Sequence, residues 1–259
     1  MTQAKPLMFH RLAPYYDDLV GGKDYRRESR ALEALARRLV RSRGRAWLDV
    51  ACGTGNHLSF LRRHYEVVGV DLSREMLRVA RRRLPGVRLV HADMRSFRLR
   101  ESFDVVSCLY SAIGHLRTER ELGATFANFS RHLKPGGIAI VEPWIDPADF
   151  RPDFIHLLTA QSPSTKVARM AHSSRRGNRS AVHYHYLIGR TGGRVEHFEE
   201  VDVGLLVPRK RLLGLMEDAG LTARFLKRGF TPGRGLVIGL KGLDQARVDG
   251  RRTRGGTAV

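Results

Sequence analysis

Cysteine is nearly absent from this chain, with Cys52 and Cys108 the only two in 259 residues. Two thiols that far apart cannot build a disulfide framework, and a structural metal site would need more ligands at closer spacing. Both read as small buried residues. Long apolar runs are missing as well. No stretch approaches the roughly 20 residues that cross a bilayer, and Met1 to Pro14 lacks the uninterrupted apolar block of a secretory leader. A soluble cytoplasmic protein is expected, and no internal repeat suggests an array. Acidic residues are scarce beside basic ones, 26 against 46, for a formal net charge of +20. Such an excess can attract nucleic acid, a membrane surface or an anionic small molecule. The arginines are scattered along helices (Arg26, Arg27, Arg30, Arg37, Arg38, Arg41, Arg81, Arg82, Arg83) and in the tail. No aromatic-interleaved basic strand, zinc finger or RNP signature accompanies them, so the charge reads as solvated surface, and neither nucleic acid nor a membrane is the expected partner.

What the sequence does contain is organised around Trp47-Leu-Asp-Val-Ala-Cys-Gly-Thr-Gly-Asn-His-Leu58. An apolar run ends in a carboxylate at Asp49, and Gly53 and Gly55 then open a helix. Glycines without Cβ atoms let the backbone approach a nucleotide-like ligand, which the first unpaired N–H groups of the helix can face. Leu58 stands where a dinucleotide fingerprint requires a third glycine, so that motif is excluded.

Along the chain, short helices and turns are expected up to about Gly22, then a helix from Asp24 to Arg41 with Leu32, Leu35, Ala36 and Leu39 on one face. Strands are expected at Arg45–Val50, Val67–Leu72, Val87–His91, Phe103–Leu109 and Ile138–Pro143. Helices alternate with them at Asn56–His64, after the Ser73 cap, and at Thr118–Leu133, closed by Lys134-Pro-Gly-Gly137. With a helix at Pro208–Ala219 and two last strands at Ala223–Lys227 and Arg234–Leu240, the pattern predicts an α/β fold. Its core is a doubly wound, mostly parallel seven-stranded sheet. From Ile145 the alternation changes: Lys166–His172 and Ser180–Leu187 read as antiparallel strands joined near Arg175–Asn178. Residues 1–241 are therefore expected to form a single domain with an inserted antiparallel β-layer at about 145–205 over the ligand crevice, and 242–259 a disordered basic tail.

Three successive strands end in an acid, Asp49, Asp71 and Asp93. A carboxylate about twenty residues past a glycine turn is placed to hold a ribose diol. Asp93 could accept from an adenine amine, with Met76 or Met94 against the ring. Asp49-Val-Ala-Cys-Gly-Thr-Gly55, Val70-Asp-Leu-Ser73, Ala92-Asp-Met-Arg95, Phe103-Asp-Val-Val106 and Leu133-Lys-Pro-Gly-Gly137 resemble the successive motifs of class I S-adenosylmethionine-dependent methyltransferases. Ala51 stands where that family usually has glycine. His57-Leu58, Ser111-Ala-Ile-Gly-His-Leu116, Val141-Glu-Pro-Trp144, Ala171-His-Ser-Ser174 and Gly233-Arg-Gly-Leu236 resemble one branch more closely, the N,N-dimethyltransferases of nucleotide-linked aminosugars in macrolide biosynthesis.

The resemblance implies a Rossmann-like methyltransferase fold, S-adenosyl-L-methionine as cofactor and no metal. Tyr16, Tyr25, Asp49, Ala51, Gly53, Gly55, Asp71, Leu72, Met76, Asp93, Met94 and Leu109 would bind the cofactor. His115 would be catalytic beside the acceptor amine, and Trp144, Ser174, Arg175 and Arg234 would hold the nucleotide-linked aminosugar, in a chain that could form a homodimer. Two departures bear on the acceptor: Met8 or Phe9 stands where the branch can carry a tyrosine, and Ile145 follows Trp144 where a second tryptophan is common. Two alternatives stay open. One is methylation of oxygen, nitrogen or carbon in another small metabolite; the other is a nucleic-acid-binding protein that retains the cofactor fold.

Overall fold

The computed structural model describes residues 6–20 and 22–243. The expected tail lies outside the described residues from 244 onward. Two short 3-10 turns, Leu7–Phe9 and Ala13–Tyr15, lead into helix α1 (Tyr16–Val20) and helix α2 (Tyr25–Leu39). The Asp24 carboxylate accepts from the Arg27 backbone N–H and fixes the start of α2. Strand β1 (Ala46–Val50), helix α3 (Asn56–Leu61), strand β2 (Glu66–Asp71), helix α4 (Arg74–Arg83) and strand β3 (Arg88–His91) follow. Strand β4 (Phe103–Cys108), the 3-10 turn Ala112–His115, helix α5 (Glu119–His132) and strand β5 (Leu133–Val141) complete the first half. Ser73 and Thr118 cap α4 and α5 through side-chain oxygens, as their positions before helical patterns predict.

Strand β5 begins earlier than expected. Lys134-Pro-Gly-Gly137 is part of the strand rather than a turn before it, because Gly136 adopts φ +78 and absorbs a bulge that shifts the β4–β5 register between Phe103 and Val105. A side chain at Gly136 would sit 2.8 Å from the Ser42 backbone nitrogen. Beyond β5, strands β6 (Ile155–Gln161), β7 (Thr165–Arg176), β8 (Arg179–Arg190) and β9 (Val195–Leu205) precede helix α6 (Arg209–Asp218), strand β10 (Leu221–Leu226) and strand β11 (Leu236–Lys241).

The strands form two sheets. The first has the order β10-β11-β5-β4-β1-β2-β3, parallel except where β11 runs antiparallel to both β5 and β10. The chain winds outward from β1 through β2 to β3 and then returns to β4, so the strand order reverses between β1 and β4. A crevice therefore opens at the carboxyl ends of those two strands. One face of this sheet packs Phe126, Phe129, Leu212 and Met216, the other Leu32, Ala36, Trp47 and Ile140. Phe126 and Phe129 are fully buried, each contributing roughly 2–3 kcal/mol by removal from water. No described helix is long and apolar enough to cross a membrane.

The second sheet, β6-β7-β8-β9, is wholly antiparallel. Two of its strands, β7 and β8, were legible as segments; both extend further and are joined by a tight turn at Gly177 and Asn178. Its inner residues Val167, Tyr186 and Ile188 pack on Met8, Leu12, Tyr16 and Leu19, which in turn meet Met76 of α4. The N-terminal segment is thereby clamped between the inserted sheet and the main fold, and the inner face of β8 and β9 overlooks the crevice.

Candidate active site

The glycine turn is held by its neighbours. Gly53 N–H donates to Asp71 Oδ2 at 2.8 Å, Cys52 N–H to the Val70 carbonyl at 3.0 Å. Gly53 and Gly55 take φ +56 and +77, and a Cβ on Gly55 would lie 2.5 Å from Leu84 Cδ1. Ala51 shares the left-handed region at φ 56, as do Tyr110 (φ 52) and Ser111 (φ 61) after β4. Three of the four described non-glycine residues with positive φ thus line one or other of the adjoining cavities described below, where backbone strain of this kind accompanies ligand sites.

Asp49 is fixed by a buried relay. Trp47 Nε1 donates to Ser107 Oγ at 2.8 Å, and the Ser107 hydroxyl donates to Asp49 Oδ1 at 2.6 Å. Burial pushes the Asp49 carboxyl up to about 6, with the nearby His57 and the Ser107 hydrogen bond working against the rise. Asp49, Tyr16, Tyr25, Ala51, Gly53 and Leu109 surround a small recess beside the turn. Behind it His57 Nε2 meets Glu28 at 2.7 Å, and Lys23 reaches the same carboxylate at 3.2 Å while lying 4.0 Å above the Tyr110 ring. Lys23 carried no motif, so the sequence did not single it out.

The cavity at the carboxyl ends of the strands has a volume of about 430 Å³, within the range of small-molecule sites. Tyr16, Ala51, Gly53, Asp71, Leu72, Met76, Asp93, Met94, Leu109 and His115 all line it. Asp71 uses one lone pair of each oxygen on backbone, Oδ2 from Gly53 and Oδ1 from the Ser73 N–H at 2.8 Å. The remaining lone pairs suit a vicinal diol. Burial raises its carboxyl above the usual range despite those bonds. Asp93 is committed differently. Arg95 donates from its backbone N–H and from Nε to Oδ1 at 2.8 and 2.9 Å and from Nη2 to Oδ2 at 2.5 Å, which lowers the Asp93 carboxyl and leaves Oδ2 as the oxygen with capacity for a ligand.

A second cavity, about 130 Å³, is lined by Tyr110, Ser111, Trp144, Arg169, Tyr184, Glu200, Asp202 and Arg234. His115 lines both cavities and so stands at their junction. Its Nδ1 lies 3.1 Å from Asp202 Oδ1, and its ring meets Phe9 edge-on at 5.2 Å. Burial opposes charging the imidazole, but the hydrogen bond and charge of Asp202, aided by Glu200 and Asp71, outweigh it and raise His115 above its ordinary value.

Arg234 belongs to the loop before β11 rather than to the strand expected there. Gly233 (φ +79) and Gly235 (φ +67) turn the chain on either side, and the guanidinium donates to Ser111 Oγ at 2.6 Å while covering the Trp144 ring at 4.5 Å. Burial lowers its pKa. Ser174 and Arg175 do not line either cavity. They sit beside the turn of the β7–β8 hairpin, where the Arg175 guanidinium is spent on the Pro147 and Gly177 carbonyls. The guanidinium that does face the second cavity from β7 is Arg169, 9% exposed, with no hydrogen-bond partner at Nε and the Tyr184 ring 5.4 Å away. Strand alternation was its one signal: Arg169 shares the inward register of Val167 and Ala171.

His185, His197 and Glu199 gather on the solvent face of β8 and β9. The two rings lie within 4° of parallel with Nδ1 of His185 3.3 Å from Nε2 of His197. Glu199 Oε1 lies 3.4 Å from His185 Nδ1 and 3.6 Å from His197 Nε2, and all three side chains are exposed.

Residues 48–137 match a family described as "Methyltransferase domain". The chain is 41% identical to the dTDP-3-amino-3,6-dideoxy-alpha-D-glucopyranose N,N-dimethyltransferase of Streptomyces fradiae, over 85% of this chain and 86% of that one. It is 38% identical to the dTDP-3-amino-3,4,6-trideoxy-alpha-D-glucopyranose N,N-dimethyltransferase of Streptomyces venezuelae, over 85% and 92%. Among solved structures, Streptomyces venezuelae DesVI superimposes with a TM-score of 0.81 at 37% identity, covering 85% of this chain and 93% of the other. The S-adenosylmethionine-bound amino pentose methyltransferase CalS10 of Micromonospora echinaspora matches with a TM-score of 0.79 at 32% identity, over 92% and 100%.

Proposed function

Because this chain belongs to the family of dTDP-aminosugar N,N-dimethyltransferases, we propose that it uses S-adenosylmethionine to methylate the amino group of a nucleotide-activated aminosugar. The residues present fit the cofactor. The turn at Gly53 and Gly55 admits no side chain without displacing Met76 or Leu84, Asp71 keeps acceptor capacity for a ribose, and Met76 and Met94 offer apolar surface to a base. When bound, S-adenosylmethionine supplies a methyl group on cationic sulfur, an electrophile that needs alignment more than activation.

The protein's part is to orient the acceptor, accommodate charge and move a proton. An amine must be neutral to attack. His115 has one ring nitrogen committed to Asp202, which leaves Nε2 to take the amine proton. Asp49, Asp71 and Asp202 border a crevice that suits the positive charge of the donor and of the ammonium product. In the second cavity the Arg169 and Arg234 guanidiniums offer forked donors matched to phosphate oxygens, and Trp144 offers a flat apolar face.

The observation that carries this reading is the position of His115, shared between a nucleoside-sized cavity with paired acids and a second cavity lined by the buried Arg169 and the half-buried Arg234. The test incubates the purified full chain with methyl-labelled cofactor and a panel of dTDP-linked 3-amino and 4-amino sugars, with the corresponding free aminosugars alongside. Label should pass to a dTDP-linked amine and far less to its free counterpart. Transfer to none of the dTDP-aminosugars, or equal transfer to the free sugar, overturns the assignment of the acceptor.

A further inference from the structure

We infer that Asp202 is the positioning residue for His115, so that docking of the inserted four-stranded sheet completes the base. The inference rests on the acceptor reading above only for its activity arm. Asp202 belongs to β9 and His115 to the turn after β4, two elements that pack directly on one another. The Asp202 Oδ1 atom is buried and, apart from the His115 imidazole at 3.1 Å, no donor reaches it. Its neighbour on the same face of β9 is already occupied. Glu200 accepts from the Tyr186 hydroxyl at 2.6 Å and from the Met8 backbone N–H at 3.4 Å, and so anchors the N-terminal segment. Of the two inward acids, Asp202 is the one with a lone pair left for the histidine.

The chemistry follows from which nitrogen is held. A carboxylate accepting Nδ1–H fixes the neutral tautomer with its lone pair on Nε2. The Phe9 ring edge at 5.2 Å sets the plane of the imidazole. When the acceptor ammonium gives up its proton, its N–H bond breaks and an Nε2–H bond forms. The Asp202 charge then steadies the imidazolium until the proton passes to solvent. The amine lone pair is thereby free to form the new N–C bond as the C–S bond breaks and its electron pair leaves on sulfur. Dimethylation requires this deprotonation before each transfer, so one positioned base serves both rounds. Glu200 and Asp71 add further negative charge around His115, while Arg169 and Arg234 across the second cavity and the neutral phenols of Tyr110 and Tyr184 complete its surroundings.

Two measurements test the inference on the full chain. In the first, Asp202→Asn, Asp202→Glu and wild type are compared in steady state across pH. Asp202→Asn should lower kcat roughly tenfold or more, leave the KM for S-adenosylmethionine within about twofold, and move the acidic limb of the pH–rate curve down by about one pH unit. Asp202→Glu should recover part of the rate. The second measurement needs no substrate: nitrogen-15 histidine NMR of the ligand-free protein should show His115 with its proton on Nδ1, and a lower titration midpoint in Asp202→Asn. An unchanged midpoint and tautomer in a folded Asp202→Asn protein overturns the inference, as does an unshifted acidic limb with unchanged kcat. Failure of the wild type to methylate any aminosugar would count against the acceptor assignment alone, since the NMR result stands apart from it.

Discussion

Replacing Asp71 with asparagine separates the duty its carboxylate performs in the fold from the one proposed for it toward the cofactor. The side chain accepts from Gly53 N–H through Oδ2 and from Ser73 N–H through Oδ1, both at 2.8 Å. An asparagine keeps one acceptor oxygen and puts an NH2 group where the other stood, so one backbone donor faces a donor. Leaving that group unsatisfied costs about 1–3 kcal/mol, and the apo protein should lose stability by that order. The second duty concerns a bound ribose. A hydrogen bond to an ionised acceptor contributes about 1.5–3 kcal/mol, so losing one diol contact should weaken S-adenosylhomocysteine binding by about ten- to a hundredfold. A loosened turn could also weaken binding, and a ligand analogue distinguishes the two causes. Calorimetric titration of wild type and Asp71→Asn with S-adenosylhomocysteine and its 2′,3′-dideoxy analogue forms a double-mutant cycle. The wild type should discriminate strongly against the dideoxy ligand, and the variant should have lost most of that discrimination. Equal discrimination by both proteins would refute the diol role and leave Asp71 as a fastener of the glycine turn.

Arg169→Met should raise the melting temperature of the apo protein, because a buried guanidinium with an unpartnered Nε is replaced by a side chain that needs no hydrogen bond; steady-state kinetics should show a higher KM for the nucleotide sugar, and an unchanged KM would remove Arg169 from the acceptor site. Ala51→Gly should stabilise the fold by about 1 kcal/mol in urea denaturation, since alanine at φ 56 occupies the left-handed region that costs L-residues roughly 1–2 kcal/mol; a loss of stability would mean the turn needs the rigidity of alanine more than relief of strain. Asp49 titrates near 6 in the fold against an ordinary 3.8. Its contribution is therefore fully present below pH 3.8 and is lost as pH rises through about 6, a difference of about 3 kcal/mol. Asp49→Asn should remove that decline, so the variant should gain on wild type between pH 4 and pH 7; parallel stability curves would show that the fold does not raise the Asp49 carboxyl above its ordinary value.

How much of this was legible beforehand depends on the range of the interaction that fixes each residue. Asp49, Asp71 and Asp93 were readable because each closes an apolar strand, and a parallel sheet places all its strand ends on one edge. The glycines were readable because positive φ selects them locally, and the helix starts because Ser73 and Thr118 act within their own turn. The second cavity is built otherwise. Arg169 and Arg175 look alike in sequence, both in the alternating β7 and on the same strand parity, and differ in their distance from the hairpin turn. The first faces the cavity and the second ties down the hairpin end. Asp202 sits in Glu199-Glu-Val-Asp202, which reads as an exposed acidic edge, and only the pairing of β9 beside β8 turns alternate members of that run inward.

That difference has a functional corollary. The side of the crevice proposed for the cofactor is specified by short-range features of the parallel sheet, whereas the side proposed for the acceptor is specified by register within an inserted sheet whose outer face meets solvent. A two-residue slip of β9 against β8 would keep Asp202 facing inward, by the period of a strand, yet displace it along the strand by nearly 7 Å, a distance expected from about 3.4 Å per residue. Such a slip would leave the sheet's alternation intact and still separate His115 from its carboxylate. Register is held by contacts at the inner end of the hairpins, where Ser180 lies opposite Gly204 and receives the Trp144 indole N–H at 2.9 Å. A Cβ at Gly204 would stand 2.8 Å from Ser180 Oγ and 2.9 Å from Trp144 Nε1, so only glycine lets β9 lie close enough for this bond. The contact between His115 and Asp202 thus depends on a packing residue two positions away from Asp202, on the same face of the same strand.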